Sequence, residues 1–457
     1  MPLTSNLSGP QGQFYAEPKP SPDATSFQID NTSSEYYNSV YYTQHKNDVQ
    51  PVPPPRQSGP LDLSNFLPQQ IMDAIDAAGK ITFHSVGDTG AAKVNRAQSA
   101  ATAIEHQGAI ADAMVRDVQS GGDTGPAFFF HLGDVIYNFG EAQYYYDQFF
   151  EPYRDYDRPI FAIPGNHDGM VFGSSSSAPQ VPTLAGFLTN FCAPIPGQSP
   201  DAGGLVRSVM TQPGVYFTLD APFVSIIGLY SNVLDGPGVI SSQGGQFPLL
   251  DDQLTFLQNE LERLKPARQA GERAVLIAVH HPPLSVDAKH AGSKGVEADI
   301  ESCCEAAGLW PDVILSGHAH LYQRFTRQLP NGRQIPYMVS GSGGFAATRP
   351  QGTIPPAPYT IGDYTLEIDP IIDFGYLTIT TDGNDLDLTF KAADQTAVTV
   401  RDAITLNLKN GKISNGSTFS AAGSASGSSG RSTAKGKKKT TGKSPKKPTP
   451  TKKGKKK

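Results

Sequence analysis

The stretch Phe128-Phe-Phe-His-Leu-Gly-Asp-Val-Ile-Tyr137 decides the fold of this 457-residue chain. Its apolar run is too short to span a membrane and has the length of a buried strand. Gly133 permits a sharp turn and a close backbone approach where that strand ends. Asp134 then places a carboxylate just beyond the strand, where open α/β sheets bind their ligands. Tyr137 follows three residues later, near enough to share what Asp134 binds.

Four other predicted strands end in the same way. Taken singly, an Asp after a strand is usually a cap or turn residue, and a loop His is usually solvated. Glycine precedes the polar residue at four of the five strand ends, however, and glycine allows the tight exit that converging side chains need. The residues that follow the five strands are Asp88, Asp134, Asn166, His280, and the pair His318 and His320.

These side chains have the chemistry of metal ligands. Carboxylate, amide and imidazole groups suit Fe, Mn or Zn ions, and no thiolate takes part. Two ions about 3.5–4 Å apart can clamp a phosphoryl group and activate a water molecule. Such a pair needs one anionic bridge, which a carboxylate at a rigid strand end provides. The sequence therefore predicts that Asp134 bridges two ions and that Tyr137 binds one of them.

The order of these motifs resembles the calcineurin-like metallophosphoesterase superfamily. Most of that superfamily has Asp-x-His in the first block, whereas this chain has Asp88-Thr-Gly90, and Tyr137 stands where purple acid phosphatases supply an iron-bound tyrosinate. The chain is therefore most similar to the purple acid phosphatase branch. The motifs that carry the resemblance are Gly87-Asp88-x-Gly90, Gly133-Asp134-x-x-Tyr137, Gly165-Asn166-His167-Asp168, Ile277-x-x-His280 and Gly317-His318-x-His320.

The resemblance implies a fold and an activity. The fold would be an α/β, four-layer α/β/β/α sandwich of two mixed β-sheets flanked by helices. The activity would be that of a metal-dependent phosphoric ester hydrolase, an acid phosphatase-like enzyme that cleaves monoesters by in-line attack of a metal-bound hydroxide. Its cofactors would be two divalent or trivalent metal ions, iron paired with iron, zinc or manganese.

The resemblance also implies a role for each site residue. His167 would contact the phosphate or assist the leaving group, and His290 resembles a second phosphate-facing histidine. Asp134 would bridge the ions. The first ion would be held by Asp88, Tyr137 and His320, and the second by Asn166, His280 and His318.

Three other histidines have simpler interpretations. His84 and His131 lie within apolar strands, which favours packing in the core or behind the site over metal ligation. His281 points away from His280 if the strand continues through both residues. It lines the site only if the chain has already turned.

Composition divides the chain into four predicted segments. Residues 1–75 form an irregular extension rich in Pro, Ser and Tyr, which does not resemble the β-sandwich of larger plant-like relatives. Residues 76–410 form the catalytic domain, and residues 411–430 are a Gly/Ser/Ala-rich linker. Residues 431–457 are a disordered Lys-rich tail. The whole chain carries −6, and removing the 13 positive charges of this tail leaves −19 for the first 430 residues.

The remaining predictions concern partners and location. A phosphate ester is the predicted substrate, and the lysine tail can bind nucleic acid, polyphosphate or another anionic surface, or simply be solvated. The first residues show no secretory signal, and no apolar run is long enough for a spanning helix. A cytoplasmic location is therefore favoured, with export as the alternative.

Cys192, Cys303 and Cys304 form no disulfide pattern, which favours free thiols.

The sequence leaves two alternative functions open. The same site can act on phosphodiesters, such as cyclic nucleotides or nucleic acid, with the basic tail holding the polyanion. A different class is a non-catalytic binding protein, in which the metal site is vestigial and the basic tail binds a polyanion.

Overall fold

The computed structural model describes residues 51–90, 100–137, 140–169, 183–231 and 237–417, with residue 49 and two short paired strands, β1 (Leu7–Ser8) and β2 (Gln13–Phe14). The chain divides into a unit Met1–Phe419 and a second unit Ser420–Lys457. Nearly all of the predicted N-terminal extension up to residue 50, the end of the predicted linker and the lysine tail lie outside the described residues.

Two mixed sheets form the centre of the described body. The strands of sheet I are β3 Leu61–Asp62, β7 Phe217–Ala221, β8 Val224–Leu229, β9 Ala274–Val279, β10 Val313–Ser316, β11 Tyr322–Gln328, β12 Gln334–Ser340, β13 Tyr359–Ile361 and β14 Tyr364–Leu366. The strands of sheet II are β4 Ile81–Val86, β5 Phe129–His131, β6 Ile160–Ala162, β15 Gly375–Thr381, β16 Asp385–Ala393, β17 Val398–Asn407 and β18 Lys412–Asn415. Sheet I has the spatial order β13-β14-β11-β12-β10-β9-β8-β7-β3, and sheet II the order β18-β17-β16-β15-β4-β5-β6.

The aromatic run of β5 shows how the layers are built. Side chains alternate between the two faces of a strand. Phe128 and Phe130 therefore enter the apolar layer between the two sheets, where they join Leu276 and Leu315 of sheet I. Phe129 points to the other face of sheet II and packs in the helix-side cluster with Met114.

Helices cover both outer faces of the packed sheets. The helix Ala100–Gly121 contributes to the apolar cluster outside sheet II, and the helices Asp252–Gln269 and Lys294–Ala307 contribute to the one outside sheet I. The predicted four-layer α/β/β/α sandwich is therefore confirmed. The other helices described are Gln69–Ala78, Ala185–Phe191 and the single turn Asn166–Gly169.

Two predicted segment boundaries fall inside regular structure. Residue 75 lies within the helix Gln69–Ala78, and β3 of sheet I lies before it. Ile71 and Ile75 are buried because their helical spacing directs them into the core, a signal obscured by the Pro-rich residues just upstream. At the other end β18 pairs with β17 beyond residue 410. The body thus extends past both boundaries, and the division into domains otherwise stays a prediction.

The structure shows the state of the cysteines and whether the described helices could cross a membrane. All three cysteines are buried and free, as their spacing predicts. Among the described residues, the helices lack the combination of length and apolar character that a membrane-crossing helix needs.

A polar cluster ties the helix Ala100–Gly121 to sheet II. Asp117 Oδ2 accepts hydrogen bonds from Lys391 Nζ at 2.6 Å and from the Tyr376 hydroxyl at 2.8 Å, and lies 3.3 Å from His84 Nε2. His84 is fully buried, and its Nδ1 is 3.0 Å from the hydroxyl of Tyr156. The structure thus assigns His84 to packing, as the sequence favours.

We expect Asp117→Asn to change how stability depends on pH. Burial raises the pKa of Asp117, but His84 and Lys391 outweigh it and hold the pKa below the usual range. A carboxylate with a depressed folded-state pKa stabilises the fold above its unfolded pKa of about 3.9 and loses that contribution as pH falls further. Urea unfolding should show the largest difference between wild type and variant above about pH 5, shrinking below about pH 4.

Asp112→Asn, on the exposed face of the same helix, is the matched control and should leave the acid dependence unchanged. A stability difference that stays constant from pH 7 to pH 3 would contradict the ion-pair account of Asp117.

Candidate metal centre

The loops after five strands meet at one edge of the two packed sheets. Three of these loops follow the parallel strands β4, β5 and β6 of sheet II, and two follow the parallel strands β9 and β10 of sheet I. The carboxyl ends of parallel strands lie at the same edge of a sheet. The structure thereby brings together all seven residues that were predicted as metal ligands: Asp88, Asp134, Tyr137, Asn166, His280, His318 and His320.

One group of donors consists of Asp88, Tyr137 and His320. The Tyr137 hydroxyl donates to Asp88 Oδ1 at 3.1 Å and lies 3.4 Å from His320 Nε2. His320 Nε2 is also 3.4 Å from Asp88 Oδ1. Ligand atoms about 2.0–2.2 Å from one ion stand roughly 3–3.5 Å from each other. These three side chains therefore have the spacing of one face of a metal site.

A second group consists of Asn166, His280 and His318. Asn166 Oδ1 is 3.2 Å from His280 Nε2 and 3.1 Å from His318 Nδ1. His280 Nδ1 donates to the carbonyl of Leu132 at 2.8 Å, which fixes the tautomer and leaves Nε2 as the free ligand atom. Asn166 Oδ1 therefore has metal-ligand spacing to both imidazoles.

Asp134 lies close to a member of each group. Its ligand oxygen, with those of Asp88 and His280, falls in a cluster whose atoms are all within 4.8 Å of one another. Oδ2 of Asp134 is fully buried and 3.4 Å from His280 Nε2, but it makes no well-aligned hydrogen bond within the described part of the chain. A buried carboxylate oxygen in that state is stabilised by a cation. The donor set therefore fits a pair of metal ions bridged by Asp134.

The backbone is strained at three of these positions. Asp88, Asp134 and His318 have φ values of 60°, 53° and 65°, in the left-handed region that non-glycine residues rarely adopt. Each such residue costs about 1–3 kcal/mol, and strain of this kind concentrates at functional sites. The strain turns each side chain inward immediately after its strand.

Glycines make room for the carboxylates, as the sequence predicts. A Cβ at Gly317 would lie 2.6 Å from Asp88 Oδ2, and one at Gly165 would overlap the carboxylate of Asp134. The loops can approach this closely only because neither residue has a side chain.

Backbone N–H groups from neighbouring loops hold the carboxylates in place. His318 N donates to Asp88 Oδ2 at 2.8 Å, so a loop of sheet I binds a carboxylate of sheet II. His167 N donates to Asp134 Oδ1 at 2.9 Å. Hydrogen bonds to ionised groups are stronger than neutral ones. Each carboxylate thus joins two separate loops of the site.

Asp168 is a supporting residue that the sequence did not single out. Its carboxylate accepts hydrogen bonds from the backbone N–H groups of Val135 at 3.2 Å, Ile136 at 3.3 Å and Gly165 at 2.9 Å. Burial and the nearby Asp134 raise the pKa of Asp168 to about 7. It connects the loop of Asp134 to the loop of Asn166, and its place directly after Asn166-His167 was the available signal.

Tyr137 is clamped by Gln148, which sequence reasoning missed. Gln148 Oε1 accepts from Tyr137 N, and Gln148 Nε2 donates to Tyr137 O, both at 2.7 Å. The segment 141–150 reads as one helix in sequence, but the structure forms a 3₁₀ turn Ala142–Tyr144 and a π-helix Tyr146–Phe150. Such wide turns are frequent at functional sites, and this one directs Gln148 inward.

The Tyr137 ring is also covered by Phe345, with stacked rings and centroids 3.3 Å apart. Burial, and then the Asp134 and Asp88 carboxylates, raise the pKa of Tyr137 well above its usual value. The phenolate form therefore needs a nearby cation. No sequence pattern connected Phe345 to Tyr137, because tertiary packing alone brings them together.

The two predicted phosphate-facing histidines both border the metal centre. The His167 ring lies 4.4 Å from the ring of Tyr137, and its side chain is half-buried. The His290 ring lies 4.3 Å from His318 and 5.2 Å from His320. His290 Nε2 is buried without a hydrogen-bond partner among the described residues.

His131 and His281 lie in different positions relative to the site. His131 Nε2 is 2.8 Å from Thr89 Oγ1, so His131 lies behind the site, as expected for a supporting residue. His281 is not directed away from the site, because β9 ends at Val279 and the chain has turned before His281. Its ring lies 4.1 Å from the ring of His318.

Sequence comparison agrees with this geometry. Residues 82–322, more than half of the chain, match the model of the calcineurin-like phosphoesterase family. The chain belongs to this family. This is the superfamily that the sequence motifs predict. No curated protein sequence matches the chain.

Several solved structures resemble the chain in part. The purple acid phosphatase PPD1 from yellow lupin (Lupinus luteus) seeds is 16% identical with a TM-score of 0.49, the match covering 78% of this chain and 55% of that one. This chain thus spans about half the length of the lupin protein. PhoD is 13% identical with a TM-score of 0.45, covering 81% and 74%. A dimetal phosphatase from Danio rerio is 13% identical with a TM-score of 0.40, covering 70% and 98%.

Replacing Asp168 by Asn should weaken the fold and the metal centre together. Both carboxylate oxygens of Asp168 accept backbone N–H groups, and an amide would present its own N–H to one of them. We expect the free energy of unfolding to fall by about 1–3 kcal/mol. Urea unfolding of the metal-free protein and metal content after reconstitution are the measurements.

Asp155→Asn, at an exposed carboxylate, serves as the matched control and should change neither property. Normal stability and normal metal content in Asp168→Asn would show that this carboxylate does not support the loops.

Proposed function

We propose that this protein is a binuclear metal-dependent phosphatase that hydrolyses phosphate monoesters, with a site of the purple acid phosphatase kind. One observation carries the proposal: two groups of three donor side chains, each joined by short distances between ligand atoms, lie next to the buried Asp134 carboxylate. Family membership supports phosphoester hydrolysis. The preference for monoesters and the use of iron belong to the proposal.

The two donor groups support an assignment of residues to each ion. Two such ions, iron paired with iron, zinc or manganese, would neutralise phosphoryl charge and activate a water molecule for in-line attack. Asp134 would bridge them. Asp88, Tyr137 and His320 would hold the first ion, and Asn166, His280 and His318 the second.

The histidines at the edge of the centre have separate roles. His167 is half-buried, and its backbone N–H is held by Asp134. In the proposed reaction its ring donates a proton to the leaving alkoxide. His290 faces His318 and His320 with an unpartnered Nε2, which suits a contact to a phosphate oxygen.

Comparison of two chromogenic esters tests the substrate class. We expect the full-length protein to hydrolyse p-nitrophenyl phosphate with a higher kcat/KM than bis(p-nitrophenyl) phosphate. Asp134→Ala should lower kcat/KM by more than about 100-fold, because even groups that only support metal ligands are worth 10–100-fold. Metal content, measured by mass spectrometry, should fall in the same variant.

Asp112→Ala, at an exposed carboxylate of the helix Ala100–Gly121, is the control and should keep full activity. A strong preference for the diester would show that the protein is a phosphodiesterase and would contradict the proposed monoesterase activity. Protein that holds no metal and hydrolyses neither ester would instead favour a non-catalytic polyanion-binding protein.

The visible spectrum tests the role of Tyr137 separately. If Tyr137 binds ferric iron as phenolate, the oxidised protein should be purple through a tyrosinate-to-iron charge-transfer band. Tyr137→Phe should remove the band and leave the free energy of unfolding nearly unchanged, because the ring still stacks on Phe345. Tyr359→Phe, outside the site, should keep the band. A colourless, fully active enzyme that contains only zinc or manganese would overturn this role.

A further inference from the structure

His281 is a second imidazole placed beside His280 by the end of strand β9. The strand ends at Val279, and Pro282 and Pro283 follow, which cannot donate to a sheet. The chain therefore turns at the two histidines. Their rings lie 5.2 Å apart at 89°, and the His281 ring also lies 4.1 Å from the ring of His318.

Ser231 fixes the orientation and tautomer of His281. Ser231 Oγ accepts the backbone N–H of His281 at 3.0 Å and lies 2.8 Å from His281 Nδ1. The Ser231 hydroxyl has a single proton to donate. Within the described part of the chain, its one other hydrogen-bond neighbour is Nδ1 of His281. The hydroxyl therefore donates to Nδ1, so the proton of the neutral ring is on Nε2.

Nε2 of His281 is buried and has no hydrogen-bond partner among the described residues. Leaving a buried N–H donor unpaired is costly, and such groups in native proteins usually mark a functional contact. The ring thus presents one fixed N–H donor.

The space for this ring depends on Gly238. A Cβ at residue 238 would lie 2.5 Å from the Cβ of His281 and 2.9 Å from the Cβ of Ser231. The carbonyl of Gly238 accepts a hydrogen bond from Ser293 Oγ at 2.7 Å, which holds this backbone in place. Three separate segments therefore build the position of His281.

We propose that His281 is a substrate-binding residue whose Nε2–H donates a hydrogen bond to a phosphoryl oxygen of the bound phosphate ester. This role rests on the proposed function and adds a donor to those assigned to His167 and His290. It requires only the Nε2–H tautomer and no change of protonation during the reaction. The same contact would bind inorganic phosphate, which is the common product.

Substitution of His281 tests the contact. In the metal-loaded full-length protein, His281→Ala should weaken inorganic phosphate binding and lower kcat/KM for p-nitrophenyl phosphate by about 10- to 100-fold each, because hydrogen bonds to charged groups are the stronger class. Metal content should stay at the wild-type level. His281→Gln can place an amide N–H near the position of Nε2 and should recover part of the loss.

Gly238→Ala tests the position of the His281 ring and leaves the chemistry of the ring unchanged. The new Cβ must displace His281, so phosphate binding should weaken in the same direction as in His281→Ala. Gly197→Ala is the matched control, because a Cβ there meets nothing within 4 Å.

In nitrogen-detected NMR spectra of the metal-free protein, the His281 ring should show the Nε2–H tautomer. Ser231→Ala should remove this preference for one tautomer.

The outcomes separate this inference from the proposed function. Unchanged phosphate affinity in His281→Ala, loss of metal in that variant, or an Nδ1–H tautomer in wild type would each overturn the role of His281. Phosphate binding that depends on His281 in a protein without esterase activity would uphold this role and remove the proposed function. Wild-type protein that binds no phosphate would overturn both.

Discussion

The metal centre depends on buried carboxylates that are held by backbone N–H groups from other loops. Asp88 and Asp134 are fully buried close together, where two negative charges repel strongly. His318 N binds the first carboxylate and His167 N the second, so each charge also links two loops. The Asp168 carboxylate is held in the same way, by three backbone N–H donors. The same charges that favour cations therefore also assemble the loops around them.

The layered fold is what makes this assembly possible. Parallel strands of both sheets end at one edge, so ligands far apart in sequence arrive together. The aromatic residues of β5 hold that edge in place, because Phe128 and Phe130 pack between the sheets while Phe129 packs under the helix Ala100–Gly121. The strained φ values of Asp88 and Asp134 are then tolerated because the surrounding packing fixes them.

Sequence reasoning and structure diverge where contacts are not local. His281 illustrates the limit: strand alternation left its direction open, and the turn ahead of Pro282 decided it. Gln148 reads as one more residue of a helix, yet a π-helical turn aims it at the backbone of Tyr137. The partnership of Phe345 with Tyr137 also has no local signal, because more than two hundred residues separate them.

The five strand ends, the order of the ligand types and the family can be predicted from the sequence, because apolar runs, glycines and ligand residues are encoded locally. The layered α/β fold followed from that resemblance and is what the structure shows. Tertiary packing, in contrast, sets which donors lie together near Asp134 and which residues support them. Those groupings depend on distances between loops of two different sheets. The stretch 128–137 supplies both the buried strand and the bridge, but the contacts of Asp134 come from the rest of the chain.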